Sequence, residues 1–204
     1  MDTLLIKSIA DQKVKEQEKN IWASSPWKDI ATLENNNVGL VGENFIQGIC
    51  ERLGIPSSID GSKTKAVGGG AGDGTIYGET VEIKTARAGT GKSMTFQHEL
   101  GEKPWLAKYM IFIDIAPHCF FITIFQNFTE EHYKSGNKCP HVFTTRKVTW
   151  RKKSEDGLHG GAFKLDTSFE LCSTYAKQGN TLCWYPTTKD EEICKYIATK
   201  FGKM

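Results

Sequence analysis

The spacing of apolar residues along the chain predicts where its helices lie. Three stretches repeat apolar residues at helical intervals: residues 1–20, 38–53 and 189–201. The first has a narrow apolar stripe among Lys, Glu and Gln, formed by Leu5, Ile6, Ile9, Ala10 and Val14. A short helix is predicted at 27–33, between a Ser-Ser-Pro break and the three asparagines at 35–37, which indicate a loop. Gly54 and Pro56 predict the end of the second long helix.

Residues with high β propensity fill the middle of the chain. Strands are predicted within residues 73–85, 109–115, 119–125 and 142–167. The first and last of these segments are predicted as hairpins, and the two between them as buried strands. Residues 57–72 are rich in turn formers, and residues 93–101 are predicted as a short helix or a loop. Helices near both ends with strands between them predict one mixed α/β domain.

Length and composition are those of an ordinary globular domain. The chain has 204 residues and a mass of 22.8 kDa, with 39% hydrophobic and 25% charged residues and a mean hydropathy of −0.40. No apolar run is long enough for a membrane span, and the chain does not begin with the basic-then-apolar order of a signal peptide. Six cysteines without a Cys-x-x-Cys pair predict reduced thiols, so an intracellular, cytoplasmic protein is expected. The net charge of +2 does not by itself indicate a nucleic-acid partner.

Two acidic residues and a lysine come together in the first predicted hairpin. If Tyr77-Gly78 is a two-residue turn, Asp73 lies opposite Glu82, whereas a one-residue slip in register would separate them. Carboxylates about 5 Å apart at Cβ repel each other, and a divalent cation removes that repulsion. Mg²⁺ prefers such oxygen ligands, so Asp73 and Glu82 are its predicted ligands. Lys84 shares a strand face with Glu82, where its ammonium can orient a water or neutralise charge on a phosphate.

The order of these residues resembles the signature of the PD-(D/E)xK nuclease family: Asp73, a short β excursion, then Glu82-Ile83-Lys84. Gly72 stands where the nominal proline of that signature would be. The family tends to have an upstream helix whose acidic residue supports the metal site, and Glu43 is the matching residue. The resemblance covers residues 38–125, and the size and layout look most like a type II restriction endonuclease. It implies a restriction-endonuclease-like α/β fold, a mixed central sheet flanked by helices, with Mg²⁺ as cofactor and catalysis by these four charged residues.

Each of these side chains also has an ordinary structural explanation. Glu82 and Lys84 could form an exposed strand pair of the kind that contributes little to stability. Glu43 is explained equally well as a solvated residue in the first turn of a helix, where the helix dipole favours an acid. His98 follows the motif closely, and its alternatives are a DNA contact and a packing or surface role.

Basic residues mark the surface expected to contact DNA. They fall in the loop after the hairpin and in a cluster around a tryptophan: Arg87, Lys92, Arg146, Lys147, Arg151, Lys152 and Lys153. A solvated strand edge protected by Lys is the alternative for the cluster. The expected division of the single domain is a helical segment at 1–37, a catalytic core at 38–125, and a DNA-contacting hairpin with a closing helix at 126–204.

A phosphate-binding loop is the alternative from another functional class. Residues 86–93 differ at one position from Gly-x-x-x-x-Gly-Lys-Ser, and Asp114 ends an apolar run as in a Walker B strand. Ala86 replaces the first glycine of that motif, which must allow a tight turn. The strand before a P-loop is normally apolar, whereas the one here carries two charged residues. We therefore expect a nuclease rather than a nucleotide-binding protein.

The expected function is Mg²⁺-dependent, sequence-specific cleavage of double-stranded DNA by a type II restriction enzyme. Since one site per chain has to cut both strands of a duplex, a homodimer with a palindromic recognition site is expected. A DNA repair or structure-selective nuclease of the same fold is the alternative within the class. A DNA-binding module without catalytic activity is a further alternative.

Overall fold

The structure is a computed structural model that describes residues 2–18, 20–60, 72–89, 94–101, 107–128, 149–151 and 162–203. Its α-helices are α1 (Asp2–Glu18), α2 (Asn35–Arg52), α3 (Phe169–Lys177) and α4 (Asp190–Lys200), with a 3₁₀ helix at Lys28–Thr32. Its strands are β1 (Ser57–Ile59), β2 (Gly74–Ile76), β3 (Glu79–Arg87), β4 (Thr95–Gly101), β5 (Tyr109–Ile115), β6 (Phe120–Gln126), β7 (Thr149–Arg151), β8 (Ala162–Ser168) and β9 (Leu182–Trp184). The predicted mixed α/β class is confirmed.

A mixed six-stranded sheet forms the centre of the molecule. Its strand order is β1-β2-β3-β5-β6-β9, in which β3 and β5 run parallel and the other described neighbours are antiparallel. A smaller antiparallel sheet has the order β4-β8-β7. Between β3 and β5 the chain passes through β4, so the second sheet supplies part of the crossover that parallel neighbours require.

The two faces of the central sheet are covered by different layers. Strand β5 is buried at every position, which is typical of a central strand covered on both sides. Helix α2 packs on one face, where the space for a Cβ on Gly42 is taken by Thr85 of β3. The second sheet and α3 cover the other face, where His98 lies against Phe112 and Phe169 against Phe121.

Helix α2 begins earlier than its sequence predicts. It starts at Asn35, so the three asparagines form its first turn instead of a loop. Their helix propensity is only moderate, but Val38 is 3% exposed and anchors this turn in the core. Tertiary burial of one apolar face therefore outweighs local propensity at this end of the helix.

Helix α1 confirms the prediction of a helix but does not bury its apolar stripe. Its described side chains from Thr3 to Glu16 are all exposed, including Leu5 at 64% and Ile9 at 52%. Among the helices that the structure describes, none is both long and apolar enough to cross a membrane.

Strand β4 contradicts the prediction of a short helix or loop at 93–101. Phe96, His98 and Leu100 are buried and alternate with exposed Gln97 and Glu99. This is the period-two pattern of a strand, and the histidine hides it because its residue type usually counts as polar. Strand β1, helix α3 and strand β9 were not predicted, since short elements carry too few apolar positions for a period to show.

The predicted hairpin within 142–167 is confirmed in its described part. Strands β7 and β8 pair in an antiparallel arrangement, with Trp150 opposite Phe163. The five described cysteines are free thiols in the structure.

Candidate active site

The β2–β3 hairpin has the register on which the predicted site depends. Tyr77 and Gly78 have φ angles of 52° and 77°, the two positive values of a tight turn whose twist suits a hairpin. Ile76 pairs with Glu79 and Gly74 with Val81. The regular pairing that the structure shows ends at Gly74, and the amide of Asp73 donates to the carbonyl of Val81, the residue already paired with Gly74. The predicted turn and register are confirmed up to this point, and the alignment of Asp73 with Glu82 stays a prediction.

The backbone around Asp73 fixes the position of its carboxylate. The Asp73 amide donates to the carbonyl of Val81 at 2.7 Å, and the Ile83 amide donates to Asp73 Oδ2, also at 2.7 Å. Gly72, with φ of 97°, approaches so closely that a Cβ would lie 2.2 Å from the Val81 oxygen. Only glycine allows this approach, so the residue that replaces the nominal proline of the motif has a structural reason of its own.

Glu82 and Lys84 form an ion pair on one face of β3. Their neighbours Val81 and Ile83 are buried, and the alternation of a strand turns the two charged side chains to the other side. Lys84 Nζ lies 2.5 Å from Glu82 Oε1, with 24% of the lysine and 14% of the glutamate side chain exposed. The pair is thus mostly shielded by protein yet still reachable from solvent, as a site for an external substrate must be.

Glu43 is placed differently from the other three predicted catalytic residues. It lies in the third turn of α2, not the first, because the helix begins at Asn35, and it is buried. Helix α2 covers the face of β3 that carries Thr85, whereas Glu82 and Lys84 point to the opposite face. In the part of the chain that the structure describes, no group of three Asp, Glu, His or Cys side chains that could hold a metal is present. The role of Glu43 as a supporting acid of the site stays a prediction.

Asp73 and Glu82 have the donor chemistry that Mg²⁺ takes from proteins. One or two carboxylates together with retained waters satisfy this ion, and a third protein ligand is not required. Asp73 is 1% exposed and accepts the Ile83 amide, whereas Glu82 is paired with Lys84. The two side chains therefore match Mg²⁺ in the type of donor atom that they offer.

The predicted DNA-contacting residues are only partly covered by the structure. Arg87 donates from Nη1 to the carbonyl oxygens of Ile30 and Leu33, at 2.9 Å and 2.5 Å, at the end of the 3₁₀ helix. This nitrogen of the guanidinium is therefore engaged in the fold, and the contact of Arg87 with DNA stays a prediction. Arg151 is the last residue of β7 and pairs with Ala162. The remaining predicted contacts lie outside the described residues: Lys92, Arg146, Lys147, Lys152 and Lys153.

The described residues on either side of positions 90–93 lack the structural context of a P-loop. Ala86 is part of β3, where a P-loop would already have turned, and the next described element is strand β4 where a helix is required. The amide of Gly89 donates a hydrogen bond to the carbonyl oxygen of Thr95, which links the chain after β3 to the start of β4. Asp114, the Walker B candidate, is fully buried and bonded to His98. These observations weigh against the nucleotide-binding alternative.

His98 is a core residue in the structure. Its Nε2 lies 2.8 Å from Asp114 Oδ1, both side chains have no exposed surface, and Cys172 Sγ donates to Asp114 Oδ2 at 3.8 Å. This network between the two sheets was not predicted. Its only sequence signal is an Asp within an apolar strand, which requires a buried partner because an unpaired charge there is costly.

Comparisons with models of protein families, with curated proteins and with solved structures find no match to this chain.

Proposed function

We propose that this chain is a Mg²⁺-dependent endonuclease that hydrolyses phosphodiester bonds of double-stranded DNA, with the site specificity of a type II restriction enzyme. The observation that carries the proposal is the ion pair of Glu82 and Lys84 on one face of β3, in a hairpin that has the predicted turn and begins directly after Asp73. Acid, acid and lysine at these positions are the elements of the PD-(D/E)xK signature. A helix before the hairpin and a mixed central sheet further support a restriction-endonuclease-like fold.

The three residues have separate tasks in this proposal. Asp73 and Glu82 would hold the metal ion, and Lys84 would balance the charge of Glu82. The bound Mg²⁺ supplies Lewis-acid polarisation of the phosphate and activation of a water. Lys84 moves its ammonium from Glu82 toward the substrate, where it orients the attacking water and neutralises charge that develops on the phosphate. Exclusion of bulk water by the protein around the pair strengthens both effects.

A plasmid assay tests the proposal. Supercoiled plasmid and phage DNA are incubated with the protein in Mg²⁺, in Mn²⁺ and in EDTA. We expect discrete fragments with Mg²⁺ and intact DNA with EDTA, and sequencing of the fragment ends gives the recognition site. Intact DNA with every divalent metal would contradict a nuclease function.

The same assay separates the alternatives within the nuclease class. A repair or structure-selective nuclease of this fold would leave linear duplex intact but cut branched, flapped or damaged DNA in Mg²⁺. A catalytically inactive DNA-binding module would shift DNA in a gel in the presence of EDTA and cut none of these substrates.

A further inference from the structure

A pocket of about 240 Å³ lies on the face of the central sheet that α2 covers. Its floor is formed by two buried residues near the end of β5, Ile113 and Ile115. Val41 of α2 is the most exposed of its lining residues, at 38%, and marks its mouth. Because Glu82 and Lys84 point to the opposite face of the sheet, the pocket is separate from the proposed active site.

Three half-buried aromatic side chains form the walls of the pocket: Trp27, Phe45 and Phe120. The ring of Phe120 meets the other two edge to face, with centroid distances of 6.0 Å to Trp27 and 5.1 Å to Phe45. The indole Nε1 of Trp27 donates to the carbonyl oxygen of Ala116 at 2.8 Å. The walls therefore present aromatic carbon to the pocket, and their one polar ring atom is bound to the backbone.

The elements on either side of the pocket are held in place by contacts of their own. Ile30 of the 3₁₀ helix lines one side, and Arg87 of β3 donates to the carbonyl oxygens of Ile30 and Leu33. On the other side, the backbone of Gly42 lies against Thr85 and sets the distance between α2 and β3. Since neither element can move into the pocket without breaking these contacts, the pocket is preformed, which lowers the cost of binding a ligand there.

The chemistry and the size of the pocket restrict what it can hold. The described residues that line it present only apolar surface, so a charged or strongly polar ligand would lose its hydration without a replacement. An apolar cavity of about 150 Å³ is large enough for a benzene molecule. Pockets that take drug-sized molecules begin at about 300 Å³. A pocket between these sizes suits a neutral ligand of one or two rings.

We propose that this pocket is a binding site for a small, neutral aromatic molecule of one ring or two fused rings. Such a ring packs edge to face or offset on the three aromatic walls, arrangements that stabilise ring pairs beyond the burial of their area. It also contacts atoms of the lining that have no protein neighbour on the pocket side. The exposed position of Val41 gives the ligand a path from solvent.

Titration calorimetry with toluene and indole tests the site, and benzoate serves as the charged control. We expect saturable binding of one toluene or one indole per chain and no binding of benzoate. Val41→Phe places a larger side chain at the mouth, so it should weaken the binding at least about tenfold. Leu40→Phe is the matched control and should bind like the native protein, because Leu40 is 45% exposed on the same helix and does not line the pocket.

Two results of this titration would overturn the proposal. One is the absence of saturable binding to the native protein up to the solubility limit of both probes. The other is an unchanged affinity in the Val41→Phe variant. Since both substituted positions are exposed, both variants should fold, and circular dichroism checks this.

Crystallography with bromobenzene locates the site without a variant. In crystals of the native chain soaked with this probe, we expect the anomalous signal of bromine between Phe45, Phe120 and Ile113. A signal only at another place would overturn the proposal. So would a side chain of a second copy of the chain in this space, together with no binding of toluene in solution. Neither measurement depends on nuclease activity.

Discussion

Asp73 shows how one side chain can serve both the fold and the proposed chemistry. Strand β2 is short, and its pairing with β3 does not extend to the amide of Ile83. The carboxylate of Asp73 takes the place of a strand carbonyl by accepting that amide. In the proposed site this carboxylate is also a metal ligand, so the same hydrogen bond would fix where that ligand lies.

Replacing Asp73 separates its two roles. Asp73→Ala leaves the buried Ile83 amide without its acceptor, and we expect the free energy of unfolding to fall by about 1–3 kcal/mol. Asp73→Asn keeps an acceptor oxygen, so it should retain most of the stability and still lose DNA cleavage. Urea denaturation followed by tryptophan fluorescence measures the first effect. Wild-type stability in the alanine variant would contradict the structural role.

The residues of the hairpin could be predicted because their positions are set locally. A two-residue turn at Tyr77-Gly78 fixes the register of β2 against the start of β3, in which Ile76 pairs with Glu79. Glu43 could not be placed in the same way, since its position depends on where α2 begins and on which sheet face the helix packs. The role of His98 could not be predicted, because its burial depends on a second sheet that is present only in the complete fold.

At the scale of elements, close packing of α2 on β3 depends on one glycine. A Cβ at Gly42 would lie 1.8 Å from Thr85 Oγ1 and 3.1 Å from Ile113 Cδ1. Gly39 and Gly48 of the same helix have nothing within 4 Å of a Cβ. Glycine lowers helix propensity at all three positions, but only at Gly42 does the packing require it.

Alanine substitutions at Gly42 and Gly39 of α2 should therefore change the free energy of unfolding in opposite directions. We expect Gly42→Ala to lower the free energy of unfolding by about 1–3 kcal/mol, because the helix must move off the sheet. Gly39→Ala is the matched control and should raise it by up to about 1 kcal/mol through helix propensity. Thermal and urea unfolding of the two variants check the prediction, and equal effects at both positions would contradict the packing.

The elements that could be predicted are those with long periodic patterns. The predicted strands at 109–115 and 119–125 agree with β5 and β6 to within one residue, and the last helix agrees equally well. Strand β9 has three residues, and α3 has two buried ones, Cys172 and Tyr175, so neither has enough positions for a period to show. Their places are set by tertiary contacts, which the pattern of one chain does not contain.

At the scale of the whole molecule, the apolar face of helix α1 is exposed on the surface that the structure describes. The stripe of α1 lies open, although helices of this length derive most of their stability from packing. Contiguous apolar residues on a protein surface are typical of an interaction site. Since the proposed cleavage of both DNA strands needs two sites, we expect a second copy of the chain to cover this face.

Analytical ultracentrifugation tests this expectation. The native chain should sediment as a dimer at micromolar concentration, and Ile9→Asp should shift it toward the monomer. Leu4→Asp is the matched control, because Leu4 is exposed on the same helix but lies outside the stripe. A monomeric native protein, or a dimer that Ile9→Asp leaves intact, would contradict the assignment of this face.

The most direct test of the proposed site compares two glutamates of strand β3. Glu82 pairs with Lys84 at the proposed site. Glu79 lies outside that site and forms an ion pair of 2.8 Å with Lys108. Substitution of either glutamate by Gln therefore removes one negative charge from an ion pair of β3. With Mg²⁺ and plasmid DNA, we predict that Glu82→Gln lowers the cleavage rate at least about 100-fold while Glu79→Gln cleaves like the native protein. Equal cleavage by the Glu82→Gln variant and the native protein would contradict the assignment of the active site.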